Sequence, residues 1–507
     1  MGRSDIAYRA GGRLVLFLLH REKEMKRRFS WMFCFICAAC GFFCAACFDV
    51  TALAPFLWAA LSPAFFILMK SRTDSRKCTV LYALAFSYAL CFLYYAPVLS
   101  LDITARAGED AQALLVLAWL ALSLLHGTVF GAALSAGMLV KCPETLRAPL
   151  TALLFTGAEW LLGAGVLGLP FVRLGLTQWQ FLPVTQASSL FGVLFISFLL
   201  LLTNALLAQG ALYRRLRCFA VAAIVFLINF AGGMFALSER ETGKTVSVAA
   251  IQPNVPFWQN GGEGRFEKAL GMAERAAEEK PDVIVLPENS AGGSFADEST
   301  ISGPIFRLAQ TSGSCILTGV YGMHGYQFRN SVFLTTPENK LEDVYHKQRL
   351  VPLFENGYER EFSLEDGKER GVLQTEYGKL GVMICFESLF SDIARETAAQ
   401  GAELLVVVTN DSWFKSELPL KRHLAQSVLR AQETGRWLVQ AGNTGMTAIV
   451  APDGTVTASL EANADGVLYG TAELLQGQTG YVLIGDWWLA AAAGGLILAA
   501  FAARKRV

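Results

Sequence analysis

The sequence predicts a polytopic α-helical membrane bundle of about eight spans joined to an α/β domain, and three observations support this fold class. Hydrophobic residues make up 53% of the 507 residues and charged residues only 17%, whereas soluble proteins carry about a quarter charged residues. Long apolar runs fill the first 240 residues and recur at the end of the chain. Between them, short apolar runs alternate with polar helical stretches, which is typical of α/β domains.

The long apolar runs approach the roughly 20 residues that a helix needs to cross a bilayer. Seven runs precede residue 240 and one follows the polar region, at about 29–48, 51–69, 79–99, 112–140, 149–171, 187–208, 217–237 and 487–503. They predict four parts of the chain: an N-terminal extension at 1–24 whose apolar stretch is too short to span, a membrane domain of seven helices at 25–240, a soluble domain at 241–485, and an eighth helix with a basic tail at 486–507.

Lysine and arginine in the short loops predict the orientation of these spans. Every second junction is basic, whereas the alternate short loops carry only Arg106 and Arg173. The basic junctions lie at 26–28, 70–77, 141–147, 214–217 and 504–506. Because basic loops stay in the cytoplasm, both chain ends are expected there, and seven crossings place the soluble domain on the outer side of the membrane.

Charge and cysteine usage exclude several classes of protein. The net charge is +0 and the polar region has no basic block with interleaved aromatic residues, so no nucleic-acid partner is expected. Five of the eleven cysteines lie in one apolar run: Cys34, Cys37, Cys40, Cys44 and Cys47. No histidine or carboxylate lies among them, so we interpret them as small residues of a lipid-buried helix rather than as a metal site. The polar region holds only Cys315 and Cys385, which is not a disulfide framework.

The polar region predicts an α/β domain. Its candidate strands lie at 245–252, 282–288, 315–320, 331–336, 379–385, 403–410, 437–443 and 446–452. Its candidate helices lie at about 264–279, 389–400 and 418–435. Several of the strands are apolar without strict alternation, as expected for strands that are covered on both faces. The sequences NTG at 443–445 and PDG at 452–454 predict tight turns.

Three residues in this domain together could carry thiol chemistry. Glu288 ends the run VIVLPE, Lys347 lies in HKQRLVP, and Cys385 ends the run KLGVMIC. Taken alone, each has a structural interpretation, as a solvated carboxylate, part of a surface basic cluster and a packed thiol. Together they form a candidate catalytic set, because a thiol attacks as the thiolate and needs both a base and nearby positive charge. We expect Glu288 to take the proton and Lys347 to stabilise the thiolate and the oxyanion.

These motifs, in this order, resemble the Glu-Lys-Cys triad of the nitrilase (carbon–nitrogen hydrolase) superfamily. The segments TNDSWF at 409–414 and QAGNTGMTAIVAPDG at 440–454 also resemble that superfamily's later motifs. The resemblance implies a four-layer α-β-β-α sandwich and the roles just given for Glu288, Lys347 and Cys385. It further implies that Glu355 and Glu387 are required acidic residues, with Glu355 holding Lys347 and Glu387 supporting the loop around the thiol.

Seven helices before this domain and one after it narrow the resemblance to the apolipoprotein N-acyltransferase family. The family resemblance implies transfer of an acyl chain from a phospholipid, typically phosphatidylethanolamine, to the α-amine of the S-diacylglyceryl cysteine of a lipoprotein, through a thioester on Cys385. It implies no cofactor and no metal, a monomer among membrane lipids, and a place in the bacterial inner membrane with the catalytic domain on the periplasmic side. It also implies substrate or lipid contacts for Trp258, Asn330, Phe386 and Trp413.

Two loops depart from the family pattern. The glutamate of PENSAGGSF lacks the usual small residue and proline after it, and WFKSELPLKRH lacks the usual glycine after WF. Both loops flank the expected pocket, so they bear on lipid selectivity rather than on the triad.

Two other functions remain open at this stage. The same triad could serve a membrane-tethered amidase that hydrolyses a carbon–nitrogen bond. A transporter or scaffold is a third class, but the spans carry few ionisable residues, with Glu159 the clearest carboxylate, and transporters usually place such residues there.

Overall fold

The computed structural model describes residues 30–98, 101–164, 168–239, 242–256, 264–295, 299–324, 327–352, 355, 371–412, 414 and 416–504. The expected extension at 1–24 lies outside these residues. Within them, the chain forms a helical half, an α/β half and a final apolar helix.

Apolar helices build the first half, as the long apolar runs predict. In chain order they are α1 (Ser30–Ala46), α2 (Ser62–Asp74), α3 (Arg76–Val98), α4 (Leu101–Leu139), α5 (Glu144–Gly163), α6 (Val193–Tyr213) and α7 (Leu216–Ser238). Shorter helical turns at Thr51–Phe56, Leu57–Ala60, Leu174–Gln178, Leu182–Thr185 and Ser188–Phe191 connect them.

Five helical segments among the described residues are long and apolar enough to cross a membrane. They are Thr51–Asp74, Arg76–Pro97, Leu115–Leu139, Val193–Tyr213 and Leu216–Ser238. Two further apolar helices, Ser30–Ala46 and Trp487–Ala502, are shorter. These helices are consistent with a membrane bundle, while the total of eight spans stays a prediction.

Helix α5 differs from the expected run at 149–171. It begins at Glu144 and ends at Gly163, because glycines and Pro170 follow it. The carboxylate of Glu159 on this helix accepts a hydrogen bond of 2.9 Å from the backbone N–H of Leu174. Glu159 therefore has a partner inside the helical half.

Helix α7 presents an apolar face on the outer surface of the helical half. Its large apolar side chains remain exposed on the protein surface, with Leu227 57% and Ile228 69% exposed. A contiguous apolar face of this kind is typical of a surface that contacts lipid.

The α/β half contains thirteen strands among the described residues. They are β1 (Lys244–Gln252), β2 (Val283–Val285), β3 (Ala291–Gly292), β4 (Cys315–His324), β5 (Gln327–Thr335), β6 (Asp343–His346), β7 (Val372–Gln374), β8 (Lys379–Ile384), β9 (Leu404–Thr409), β10 (Trp437–Gly442), β11 (Ala448–Val450), β12 (Val456–Ser459) and β13 (Gly466–Leu474). The helices of this half are α8 (Arg265–Ala277), α9 (Ser302–Ser312), α10 (Ser391–Ala399), α11 (Glu417–Thr434) and α12 (Gly480–Ile484), and α13 (Trp487–Arg504) follows.

The strands form two mixed sheets. The first has the order β13-β1-β2-β4-β5-β6, with β3 paired to β4, and the second has the order β12-β11-β10-β9-β8-β7. Strands β1, β2 and β4 run parallel in the first sheet, and β8, β9 and β10 run parallel in the second. Both tight turns predicted from the sequence join antiparallel neighbours, β10 to β11 and β11 to β12.

The two sheets pack face to face and each carries helices on its outer face. Strand β1 shows the arrangement, since Val248 and Ala250 face the other sheet while Ala249 and Ile251 face α8 and α9. The second sheet does the same against α10 and α11. The domain is therefore the expected four-layer α-β-β-α sandwich, and burial on both faces explains the continuous apolar runs.

Helix α11 also docks the sandwich onto the helical half. Arg422 forms a two-pronged ion pair with Asp49, at 2.7 and 2.8 Å, and donates 2.6 Å to the carbonyl of Tyr94. Further along α11, Glu433 accepts a hydrogen bond of 2.8 Å from the N–H of Val193, the first residue of α6. The helix that covers one sheet is thus held against the membrane helices at both ends.

Candidate active site

The carboxyl ends of strands in both sheets bring the three expected catalytic residues to one edge of the sandwich. Glu288 lies just beyond β2, Lys347 directly beyond β6 and Cys385 directly beyond β8. The two sheets meet at this edge, because the N–H of Asn410, directly beyond β9, donates 2.8 Å to Glu288. Functional groups of α/β folds commonly collect at such carboxyl ends.

Glu288 is 5% exposed and accepts three hydrogen bonds. One carboxylate oxygen takes the side-chain amide of Asn330 at 2.7 Å and the ammonium of Lys347 at 3.1 Å, and the other takes the Asn410 N–H. A carboxylate held on both oxygens has a defined direction, which a general base requires.

Lys347 is fully enclosed between two carboxylates. Its ammonium is 2.8 Å from Glu355 and 3.1 Å from Glu288, and its side chain is 1% exposed. Burial disfavours the charged form, but Glu288 and Glu355 outweigh it and hold the pKa of Lys347 above its ordinary value. Glu355 is itself fixed by the N–H of Val351 at 2.7 Å. The site therefore contains a permanent positive charge.

Cys385 begins a single helical turn, Cys385–Leu389, and has the unusual backbone angle φ of +51°. A left-handed conformation costs a residue other than glycine about 1–2 kcal/mol, and such strain is frequent at active sites. Burial raises the pKa of the Cys385 thiol, and Glu288 raises it further, whereas Lys347 lowers it. The resting thiol is therefore protonated, and its attack requires a base.

Glu387 connects the turn of Cys385 to the segment that carries Lys347. Its carboxylate is fully buried and accepts from the N–H of Ile384 at 2.7 Å, from the N–H groups of Gln348 and Arg349, and from the hydroxyl of Tyr345 at 2.9 Å. Burial raises the pKa of Glu387 to about 7, although the N–H groups oppose this shift. Among the described residues it forms no hydrogen bond to Lys347 or to the thiol, and its role in supporting the loop stays a prediction.

The four expected substrate residues have different positions. Asn330 is 3% exposed and directs its amide at Glu288. Phe386 is buried and packs against Phe171 of the helical half, with ring centroids 6.0 Å apart. Trp258 and Trp413 lie outside the described residues. Substrate or lipid contact of all four stays a prediction.

Two residues near the thiol were missed from the sequence: His423 and Asp411. His423 on α11 is 2.8 Å from Asp411 through Nδ1 and 3.2 Å from the carbonyl of Cys385 through Nε2. Asp411 lies within TNDSWF, and His423 is the last residue of WFKSELPLKRH. Both motifs were noted, but only the fold brings the two residues together at the nucleophile.

Chemically, the arrangement joins a thiol, a carboxylate that can accept its proton and a buried ammonium that can stabilise an oxyanion. Among the described residues, no group of three or more histidine, cysteine, aspartate or glutamate side chains could hold a metal ion. This set fits acyl transfer through a covalent enzyme intermediate.

Comparison with protein families finds two matches that together cover most of the chain. Residues 247–478 match the carbon–nitrogen hydrolase family, and residues 40–206 match the apolipoprotein N-acyltransferase N-terminal domain. The first range contains all three expected catalytic residues, and the second lies in the helical half.

Curated relatives match across both halves. The apolipoprotein N-acyltransferase of Geobacter metallireducens is 30% identical over 387 residues, covering 70% of this chain and 74% of that protein. The apolipoprotein N-acyltransferase of Thermotoga maritima is 29% identical over 365 residues, covering 69% and 70%. Among solved structures, Nit3 of Saccharomyces cerevisiae, a member of branch 10 of the nitrilase superfamily, matches 46% of this chain and 92% of its own at 19% identity and a TM-score of 0.37.

Proposed function

The chain belongs to the apolipoprotein N-acyltransferase family and is a membrane acyltransferase that N-acylates lipoproteins, and from this premise we propose that Cys385 carries the acyl chain as a thioester. The observation that supports the proposal is that Cys385, Glu288 and Lys347 lie together at the edge of the sandwich where β8, β2 and β6 end. The amidase alternative is set aside, because the relatives that match across both halves are acyltransferases by name.

In the first step, the Cys385 thiol gives its proton to Glu288 and the sulfur attacks the carbonyl carbon of a phospholipid ester. Lys347 stabilises the oxyanion of the tetrahedral intermediate. The intermediate collapses with cleavage of the carbon–oxygen bond, and Glu288 returns the proton to the departing lysophospholipid. The acyl chain remains on Cys385 as a thioester.

In the second step, the α-amine of the S-diacylglyceryl cysteine attacks the thioester and loses a proton to Glu288. The carbon–sulfur bond breaks, the amide forms, and the proton passes from Glu288 to the Cys385 sulfur. An amide is more stable than a thioester, so this step runs downhill. Water is the competing nucleophile, which makes an apolar pocket close to lipid an advantage.

The raised pKa of the thiol supports this assignment of the base. A protonated thiol beside a fixed carboxylate and a fixed ammonium reacts by general-base catalysis, with the thiolate formed at the moment of attack. The 3.1 Å contact between Lys347 and Glu288 also supports it, because it holds the carboxylate and the ammonium side by side near the ends of β2 and β6.

We propose the bacterial inner membrane as the location, with the catalytic domain on the periplasmic side. Basic residues of two junctions, Arg72, Arg76 and Lys141, line a common pocket with Arg147 at one end of the helical half. The other end of α3, at Tyr94, contacts Arg422 of the sandwich. The α/β domain is thus at the end of the helices opposite the basic pocket. Because basic loops prefer the cytoplasm, the end that carries the α/β domain is inferred to be the outer side.

The donor and the oligomeric state are also proposals. We assign phosphatidylethanolamine as the donor and a monomer as the working form, both from the family resemblance. Exposed apolar side chains on α7 support access from the lipid phase.

The test is to incubate the purified full chain with phosphatidylethanolamine and to measure the mass of the peptide that contains Cys385. The expected result is an acyl-sized adduct on Cys385 that disappears when a diacylated lipopeptide is added and appears on its amine. Cys385→Ala and Cys385→Ser are expected to lose both products, while Cys315→Ala, at the other cysteine of the domain, keeps them. N-acylation by purified Cys385→Ala would show that the thioester mechanism is wrong.

A further inference from the structure

The backbone carbonyl of the nucleophile is held from outside its own turn. Nε2 of His423 lies 3.2 Å from the carbonyl oxygen of Cys385 and 2.9 Å from the hydroxyl of Ser388. The Ser388 hydroxyl donates 3.0 Å to the same carbonyl. Cys385 has a left-handed backbone, so these contacts hold a conformation that the residue alone disfavours.

The hydrogen-bond partners of His423 determine its protonation. Nδ1 faces the carboxylate of Asp411 at 2.8 Å, and a carboxylate accepts a proton donor. Nε2 faces a carbonyl oxygen, which only accepts, and a serine oxygen whose hydrogen is directed to that carbonyl. Both ring nitrogens therefore need a proton, and the imidazolium is the form that satisfies every contact.

Burial makes this charge depend on Asp411. The side chains of His423 and Asp411 are only 9% and 4% exposed. Burial lowers the pKa of His423, but Asp411 outweighs it, so the pKa of His423 lies above its ordinary value. Three groups raise this pKa: the carboxylate of Asp411 beyond β9, the backbone carbonyl of Cys385 beyond β8 and, more weakly, the charge of Glu288 beyond β2.

A second cation on the same helix holds the same turn. Arg430 lies seven residues after His423, on the same face of α11. It is fully buried and donates 3.2 Å to the carbonyl of Ser388 and 3.3 Å to that of Leu389. Its charge is balanced by Glu433 at 2.7 Å. Helix α11 therefore holds the nucleophile's turn by its carbonyl groups at both ends.

We propose that His423, kept as an imidazolium by Asp411, is a positioning residue that holds the backbone of Cys385 in its reactive conformation. The inference rests on the proposed role of Cys385 and extends it to two residues that form no hydrogen bond to the Cys385 sulfur among the described residues. Loss of the proton from His423 would place a ring lone pair against the Cys385 carbonyl and release the turn.

The test measures the rate of Cys385 adduct formation from phosphatidylethanolamine between about pH 5.5 and 8.5, in the full chain and its variants. Asp411→Asn removes the charge that holds the proton, so the pKa of His423 is expected to fall, because burial then acts without its main opposing charge. Its rate is expected within about threefold of wild type at the acid end and at least about tenfold lower at the alkaline end. His423→Ala loses the charge-assisted bond and is expected to slow adduct formation by about 10- to 100-fold.

Two further variants separate positioning from folding. His423→Gln keeps an N–H donor that cannot titrate, so it is expected to exceed the rate of His423→Ala and to show no alkaline loss beyond that of wild type. Lys421→Gln, at an exposed position of the same helix, is the matched control and is expected to follow wild type. Thermal unfolding of each variant shows whether it is folded.

The outcomes distinguish this inference from the proposed function. If wild type forms no adduct on Cys385, the proposed function fails. If wild type forms the adduct and Asp411→Asn has the same shape of pH profile, with a uniform loss of rate or of unfolding temperature, then His423 and Asp411 are structural only and this inference is wrong.

Discussion

Replacement of Glu387 by glutamine tests how the site is supported, because it changes one oxygen of a carboxylate that is surrounded by donors. One oxygen accepts from the N–H groups of Gln348 and Arg349, and the other accepts from the N–H of Ile384. The hydroxyl of Tyr345 lies 2.9 Å from both oxygens. An amide nitrogen in either position therefore faces at least one backbone N–H that it cannot accept from.

Of the two orientations of the new side-chain amide, the one that costs less free energy places its nitrogen toward Ile384, since only one backbone N–H then loses its acceptor. A buried unsatisfied donor costs about 1–3 kcal/mol. The bonds that remain to Gln348 and Arg349 lose their charge assistance, at about 1 kcal/mol each. Removal of a buried carboxylate, whose pKa burial raises to about 7, offsets part of this cost. We expect Glu387→Gln to lower the free energy of unfolding by about 2–4 kcal/mol.

Thermal unfolding of the purified protein in detergent, followed by tryptophan fluorescence, measures this cost. For a domain of this size, about 2–4 kcal/mol corresponds to a fall of about 5–15 °C in the unfolding midpoint. Glu396→Gln, an exposed glutamate on α10, is the control and is expected within about 0.5 kcal/mol of wild type. Glu387→Gln should also slow adduct formation on Cys385, because the turn of the thiol loses its anchor. Wild-type values for both unfolding and adduct formation would refute the support role.

Three further predictions concern charge. Arg422→Gln and Asp49→Asn should each lower the free energy of unfolding by about 3 kcal/mol, because each leaves a largely buried partner unpaired. In unfolding experiments the double variant should lose clearly less stability than the sum of the two single variants. Simple additivity would mean that this ion pair does not hold the two halves together. Glu355→Gln should lower kcat/KM by about 10- to 100-fold, because Lys347 loses one of its two carboxylates; an unchanged value would show that Glu355 is not needed to hold the ammonium. The raised pKa of Glu387 means that the native state binds its proton more tightly than the unfolded state, so its contribution to stability is complete below about pH 4.5 and is lost as pH rises through about 7. Wild type should therefore lose stability over this range relative to Glu387→Gln, and parallel curves for the two proteins would contradict the shift.

Much of the fold follows from local patterns, and the reasons for the exceptions are physical. The eight strands expected from apolar runs all have counterparts, since burial on both faces requires continuous apolar sequence. The missed strands lie at sheet edges or are short, such as β12 (Val456–Ser459), whose residues are partly exposed. Strand β13 pairs with β1 over nine residues, but its sequence mixes apolar, polar and glycine residues. Helix α9 was also missed, because Gly303 and Pro304 at its start are more typical of a loop.

The class of the protein and the residues that are expected to react follow from the amino-acid sequence alone. Apolar runs of bilayer length and apolar strands are local signals, because the surroundings of a span or a buried strand act on every residue in it. Glu288, Lys347 and Cys385 could be named because each follows such a strand or belongs to a motif of recognisable residue types.

The way in which those residues are held depends on contacts between distant parts of the chain. The Asp411–His423 contact joins a strand end to a helix, Glu387 joins the segments after β6 and β8, and Arg422 meets Asp49 across 373 positions of the chain. No local pattern encodes such contacts, since a polar side chain in a loop or on a helix has the same sequence surroundings whether it faces water or a buried partner. Burial creates the difference, because a charge removed from water must find its counterpart wherever the fold brings one within reach.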